Sequence, residues 1–152
     1  NVTLRLLDFE RVVVIPWYTE AQCYLNDLTE YIRQNGCENP ALRLRISRLL
    51  AECEAARLLV YQASLLADKK QNFSNEAAMA KVFNLELNQR AAVLGMEILG
   101  AKGIIVEGSP RAVMDGRAAW LYIRALGNSL EMGTSEIDRN ILALRGLGLP
   151  RG

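Results

Sequence analysis

Long runs of helical periodicity, interrupted almost only at proline or glycine, constrain this chain more than any other feature. It holds four prolines in 152 residues, and three stand where helices should start or stop, because proline inside a helix removes a hydrogen bond and clashes with the preceding turn. From about Thr3 to Asn35 the residues Leu4, Leu7, Val14, Tyr18, Cys23 or Tyr24, Leu28 and Tyr31 recur at helical spacing, with Gly36 just past the end as a C′ glycine. Pro16 lies inside this run and should kink it or split off a first turn. Asn39 and Pro40 supply the N-cap and the first-turn proline of a second helix. That helix reaches about Lys70, with Leu42, Ile46, Leu49, Cys53, Ala56, Val60 and Ala63 on one stripe.

Ser74 is expected to cap a third, alanine-rich helix with Met79, Val82, Phe83, Leu87, Ala91, Leu94 and Ile98 on its apolar face, ended by Gly100 or Gly103. A turn-rich stretch from Gly103 to Gly116 follows, then a shorter helix over about Arg117–Leu126, and a last one capped by Thr134 that ends near Arg145 or Gly146. Helices of about 30 residues are about 45 Å long. Three of that length joined by short links pack side by side and antiparallel, the last two helices making the fourth side. The expected fold is all-α, an antiparallel four-helix bundle formed as a single domain over residues 1–152.

Eighteen basic against seventeen acidic side chains give a net charge of +1, which offers no broad electrostatic grip on nucleic acid or an anionic membrane. The chain has no histidine, so Ser-His-Asp, Cys-His and zincin-type chemistry is excluded within it. Cys23, Cys37 and Cys53 are odd in number and lack a CxxC spacing; reduced, structural cysteines, no metal site and a cytoplasmic location are expected. The longest apolar run, Val12 to Tyr18, is far too short to span a bilayer and contains Pro16. The apolar helical pattern already under way at Asn1 reads as the start of a cut piece, from which targeting signals could have been lost.

Three local features could carry chemistry. Glu10 lies in the apolar setting Leu7-Asp8-Phe9-Glu10-Arg11-Val12-Val13-Val14, which would raise a carboxyl pKa and suit a base, although local sequence alone favours an exposed Glu at a helix start. Gly133-Thr134-Ser135-Glu136-Ile137 joins hydroxyls to the free N–H groups of a helix start, a recipe for phosphate and also simply a good cap. Glu97-Ile98-Leu99-Gly100-Ala101-Lys102-Gly103 could admit a ligand to helix-end backbone or merely end the helix.

In order and at these spacings, the segments resemble the C-terminal domain of the flavin-dependent acyl-CoA dehydrogenases over almost the whole chain. The likeness rests on Leu7-Asp8-Phe9-Glu10-Arg11, on Glu54-Ala55-Ala56-Arg57, on Ala77-Ala78-Met79-Ala80-Lys81-Val82-Phe83 with Glu86, on the helix end at Leu99-Gly100, and most specifically on Gly133-Thr134-Ser135-Glu136-Ile137-Asp138-Arg139-Asn140-Ile141. The resemblance implies α,β-dehydrogenation of an acyl-CoA thioester, a Glu removing the α-proton while hydride leaves Cβ for FAD. Many members carry that Glu immediately before the Gly-Thr-Ser, where this chain has Met132 after Glu131. A subgroup that includes the isovaleryl- and long-chain-type enzymes carries it instead on the first helix of this domain, in the Leu-Asp-x-Glu-Arg context matched by Glu10.

The resemblance therefore implies Glu10 as base, Asp8, Arg11, Met132 and Gly133 toward substrate, and Thr134, Glu136, Leu99, Gly100 and Glu97 toward FAD. Glu97 stands where relatives commonly have Gln, and the Arg..Phe-Gly motif that usually follows the first helix is missing between Arg33 and Pro40. A chain shortened in this way is similar to actinobacterial members built from two unlike subunits. The implied partners are acyl-CoA, an electron acceptor of the electron-transfer-flavoprotein type, and a homo- or hetero-oligomer held through the third and last helices; the acyl chain stays open. The family's N-terminal helical and middle β domains are absent, so this piece alone is expected to be inactive. The alternative is a non-catalytic, assembly-forming partner subunit, and the third possibility is an unrelated bundle that imitates the signature.

Overall fold

The computed structural model describes residues 6, 9, 10, 15–37 and 39–150. Helix α1 spans Ile15–Asn35, α2 Pro40–Asp68, α3 Ser74–Leu99, α4 Arg117–Asn128 and α5 Ser135–Ile141. No strand occurs among the described residues. Residues 6, 9 and 10 are helical too, but most of the expected pattern before Val14 lies outside the described residues. Pro16 stands in the first turn of α1, where its missing N–H takes no bond from the ladder.

The helix ends follow their expected chemistry, with one exception. The Gly36 N–H donates to Ile32 O at 2.8 Å with φ at +79°, and Asn39 Oδ1 accepts from Ala41 N at 3.0 Å ahead of Pro40. Gly100 ends α3, its N–H returning to Met96 O. Ser74, expected as a cap, is instead the first helical residue behind Phe73. Asn72 Oδ1 accepts the Ser74 N–H at 3.2 Å, and the Ser74 hydroxyl is engaged by Arg145 Nη1 at 2.8 Å. An asparagine two residues upstream thus does the work assigned to the serine.

Links of a few residues between helices of 21, 29 and 26 residues force α1, α2 and α3 to run antiparallel. Helix α3 is the hub, packed against α1, α2, α4 and α5, while α1 and α2 also meet. The α2 stripe is as expected: Ile46, Leu49, Cys53, Ala56, Val60 and Ala63 are buried and Leu42 is half-buried. On α1 the choice between Cys23 and Tyr24 falls to Tyr24, fully buried, with Cys23 exposed.

Helix α3 departs from its single expected apolar face. Lys81, Asn84, Leu85, Asn88, Ala92 and Gly95 are buried along with Leu87, Ala91 and Leu94, because neighbours cover it on nearly every side. This narrows what α3 can offer to the expected assembly surface. Most apolar residues of α3 are spent inside the bundle, Val93 being exposed, whereas Leu44, Leu58, Tyr61 and Leu65 on α2, Trp120 and Ile123 on α4, and Leu147 and Leu149 near the end of the chain are exposed as well. No described helix is long and apolar enough to cross a membrane.

Candidate functional site

The segment joining α4 to α5 is built as a clamped turn. After α4 the chain tightens through Leu130 N to Gly127 O at 3.0 Å and Glu131 N to Asn128 O at 3.2 Å. It then passes through two successive left-handed residues, Met132 at φ +55° and Gly133 at φ +97°. Glycine takes that conformation freely, while Met132 pays about 1 to 2 kcal/mol for it and packs partly buried against the core. Thr134 caps α5, its Oγ1 accepting from Ile137 N at 3.4 Å and its carbonyl accepting from Asp138 N at 3.1 Å.

Lys81 holds the turn from below. Its ammonium, on the buried side of α3, donates to Gly133 O and to Asp138 Oδ2, the latter at 2.6 Å, and both side chains are sealed from solvent. One turn further along α3, Glu86 pairs with Arg139. The two sequence motifs, Ala78-Met79-Ala80-Lys81 with Glu86 and Gly133-Thr134-Ser135-Glu136 with Arg139, are therefore halves of one joint. In the sequence Lys81 and Asp138 stand only as members of the motifs that carry the resemblance. The available signal was a lysine inside the alanine-rich run from Ala77 to Phe83, where an unpaired cation is costly.

Among the base candidates, Glu10 is helical and half-buried. Its neighbour Phe9 sets its ring edge-on against Phe73, with centroids 5.1 Å apart and planes at 65°. Phe73 precedes the first residue of α3, so the Phe9–Phe73 contact and the turn held by Lys81 both attach to the N-terminal third of that helix, Phe73 and Lys81 being about 12 Å apart along its axis. Asp8 and Arg11 lie outside the described residues. Glu131 is turned toward α4 and gripped by both terminal nitrogens of Arg124, the second at 3.2 Å. A further carboxyl, Glu20 on α1, is pushed above its usual pKa by burial, against the opposing pull of Arg117 and Arg124. Arg124 thus serves both acids.

Glu136 is exposed and ionised, its pKa lowered by a hydrogen bond from the Thr134 hydroxyl and by its own backbone N–H. Glu97, Leu99 and Gly100 are placed elsewhere, at the far end of α3. Leu99 is eighteen residues beyond Lys81, about 27 Å along the helix. Leu99 is buried, and Gly100, at φ +53°, has open space where a Cβ would stand. Glu97 is exposed and bound by Arg45 of α2 through two bonds, one of 2.9 Å, and that hydrogen bond lowers its pKa. The acid at this position is therefore ionised with its charge cancelled locally.

The expected set thus separates into a group near the N-terminal third of α3, with Glu10, Met132, Gly133, Thr134 and Glu136, and a group at its C-terminal end. A groove of about 1090 Å³ between α1, α4 and the segment leading into α4 contains neither group; its lining includes Tyr31, Met114, Trp120 and Ile123 with the acids Asp27, Glu30, Glu107 and Asp115.

Residues 1–147 match the family model described as acyl-CoA dehydrogenase, C-terminal domain. Acyl-CoA dehydrogenase FadE26 of Mycobacterium tuberculosis is 33% identical over 113 residues, which cover 72% of this chain and 28% of that protein. The solved structure of the Tcur3481-Tcur3483 steroid ACAD superposes with a TM-score of 0.87 at 28% identity, over 96% of this chain and 38% of that one. The ChsE4-ChsE5 complex from Mycobacterium tuberculosis superposes with a TM-score of 0.76 at 27% identity, over 87% of this chain and 36% of that one. The chain thus spans between a quarter and two fifths of the length of these proteins.

Proposed function

Because the chain belongs to the acyl-CoA dehydrogenase family and is its C-terminal helical domain, we propose that it forms the flavin- and substrate-facing helical part of a longer, FAD-dependent acyl-CoA dehydrogenase. The observation that carries this reading is the clamped turn. A left-handed pair and a capped helix start are fixed by a buried ion pair, on the same third of α3 to which the helical residue Glu10 is tied through Phe9.

The residues present fit FAD in their donor chemistry. Thr134 offers a hydroxyl and Gly133 a backbone with no side chain in the way, while Gly100 leaves open space beside the end of α3. Ionised Glu136 suits a hydroxyl or N–H of the cofactor and would repel its phosphates. Thr134, Glu136, Leu99 and Gly100 would hold the cofactor, and Glu97 enters only through its pair with Arg45. The two groups lie about 27 Å apart along α3, so they would meet distant parts of an extended ligand or two different ligands. When bound, FAD supplies the hydride acceptor.

Glu10 takes the α-proton of the acyl-CoA, with Asp8, Arg11, Met132 and Gly133 around the substrate. Glu131 is unsuited because the Arg124 guanidinium already holds both of its carboxylate oxygens. The 152-residue piece by itself has no turnover. The exposed apolar residues of α2 and α4 support a homo- or hetero-oligomer, and the ChsE4-ChsE5 complex supports the version in which this chain works with an unlike subunit; the electron acceptor in this reading is an electron-transfer flavoprotein.

In the full-length protein Glu10→Gln keeps size and hydrogen bonding but cannot accept a proton. It is expected to leave FAD content and acyl-CoA binding near wild type and to slow stopped-flow flavin bleaching by orders of magnitude, a transition-state effect; Glu131→Gln should change little. Unchanged bleaching in Glu10→Gln removes the assignment. Activity of the full-length protein expressed alone would exclude the partner-subunit reading.

A further inference from the structure

Lys81 is the one cation among the described residues that is buried from solvent. Burying an ammonium is costly, and a buried ion pair seldom adds net stability over an apolar pair of the same volume. The surrounding run of Ala77, Ala78, Ala80 and Val82 could pack a methionine at that position without such a cost. What an apolar side chain could not do is hold one particular carbonyl, and the Lys81 ammonium bonds Gly133 O while Asp138 balances its charge.

The consequence lies in the Gly133–Thr134 peptide plane. In a trans peptide, C=O and N–H point in opposite directions, and no cis peptide bond occurs among the described residues. With Gly133 O drawn inward to Lys81, the Thr134 N–H is turned outward, away from α3. No hydrogen-bond acceptor for that N–H is found among the described residues. A half-buried donor without a partner, set on a fixed plane and flanked by Met132 and the Thr134 hydroxyl, is suited to an acceptor oxygen or nitrogen of a ligand.

We infer that Lys81 is a positioning residue: by holding Gly133 O it aims the Thr134 N–H, which then donates to an acceptor atom of bound FAD. This rests on the reading of the turn as a flavin contact. Lys81 touches neither cofactor nor substrate.

The experiment uses the full-length protein and FAD. In the wild type, hydrogen exchange at the Thr134 amide is compared with and without saturating FAD, and at least tenfold slowing is expected on binding. The charge pair is then removed as a unit, Lys81→Met with Asp138→Asn, which avoids the orphaned carboxylate that could unfold Lys81→Met alone. At a thermal midpoint within a few degrees of wild type, the double variant is expected to lose the FAD-dependent slowing at Thr134 and to bind FAD at least tenfold more weakly, with a shifted visible band for the flavin that still binds. A double variant with wild-type FAD affinity and wild-type protection of the Thr134 amide overturns the role of Lys81 while leaving the flavin-contact reading intact. A wild-type Thr134 amide that exchanges equally with and without bound FAD overturns the proposal by a different route, since the turn then does not meet the flavin.

Discussion

Gly95→Ala tests the packing of the hub helix most directly. Gly95 sits in the interior of α3, where alanine is intrinsically better by about 1 kcal/mol. A Cβ built on it would overlap Tyr24 Oη and stand 2.6 Å from Cζ and 2.8 Å from Cε1. Tyr24 is fully buried, and Arg117 lies over its ring at 5.7 Å, so the ring has no free direction in which to swing. Overpacking of this severity costs about 3 kcal/mol. Net of the propensity gain, Gly95→Ala should destabilise by about 2 kcal/mol, and its thermal midpoint should fall by about 4 to 8 °C for a domain of this size.

The Tyr24 hydroxyl is buried without a hydrogen-bond partner among the described residues, and burial pushes its pKa up to about 12. Tyr24→Phe alone should therefore be neutral or stabilising by up to about 1 kcal/mol. In the Gly95→Ala background it should recover roughly half the loss, because Cζ stays crowded. A double-mutant cycle by urea unfolding, followed by circular dichroism, should give a coupling of about 1 kcal/mol. If Gly95→Ala is as stable as wild type or gains the propensity increment, the ring does not occupy the face left open by Gly95.

Three further outcomes are expected. Thr134→Ala should cost about 0.5 to 1 kcal/mol, at the low end for a cap because its bond to Ile137 N is 3.4 Å long, and should weaken FAD retention in the full-length protein; unchanged flavin content would make the hydroxyl purely structural. Arg45→Gln should return Glu97 to the usual carboxylate range in an NMR titration. Since Glu97 is lowered in the folded state, its contribution exists above the usual carboxylate pKa and is lost as pH falls through the lowered value, and on an exposed pair it should stay below about 1 kcal/mol. At neutral pH a thiol reagent should label exposed Cys23 in the native protein and reach Cys53 only on unfolding, since burial, with the charge of Glu52, pushes that thiol up to about 11.

The sequence by itself determined the helices and much of their burial, because both follow from local chemistry. The stripe of α2 appears in the fold with the residues expected on it, and Gly36, Asn39, Pro40, Gly100 and Thr134 end or start helices as their backbone preferences dictate. The order of the motifs likewise identified the family whose model matches residues 1–147. What periodicity could not supply is which side of a helix meets which neighbour. It did not show that α3 is covered nearly all round, which leaves Val93 as its exposed large apolar residue, nor that Tyr24 rather than Cys23 faces inward. Only tertiary structure joined Lys81 to Gly133 and Asp138, gave Glu131 to Arg124 and Glu97 to Arg45, and set two halves of one expected site at opposite ends of a helix. Those partners lie between seven and fifty-seven residues apart in the chain, and only the packing of whole helices decides which of them can touch.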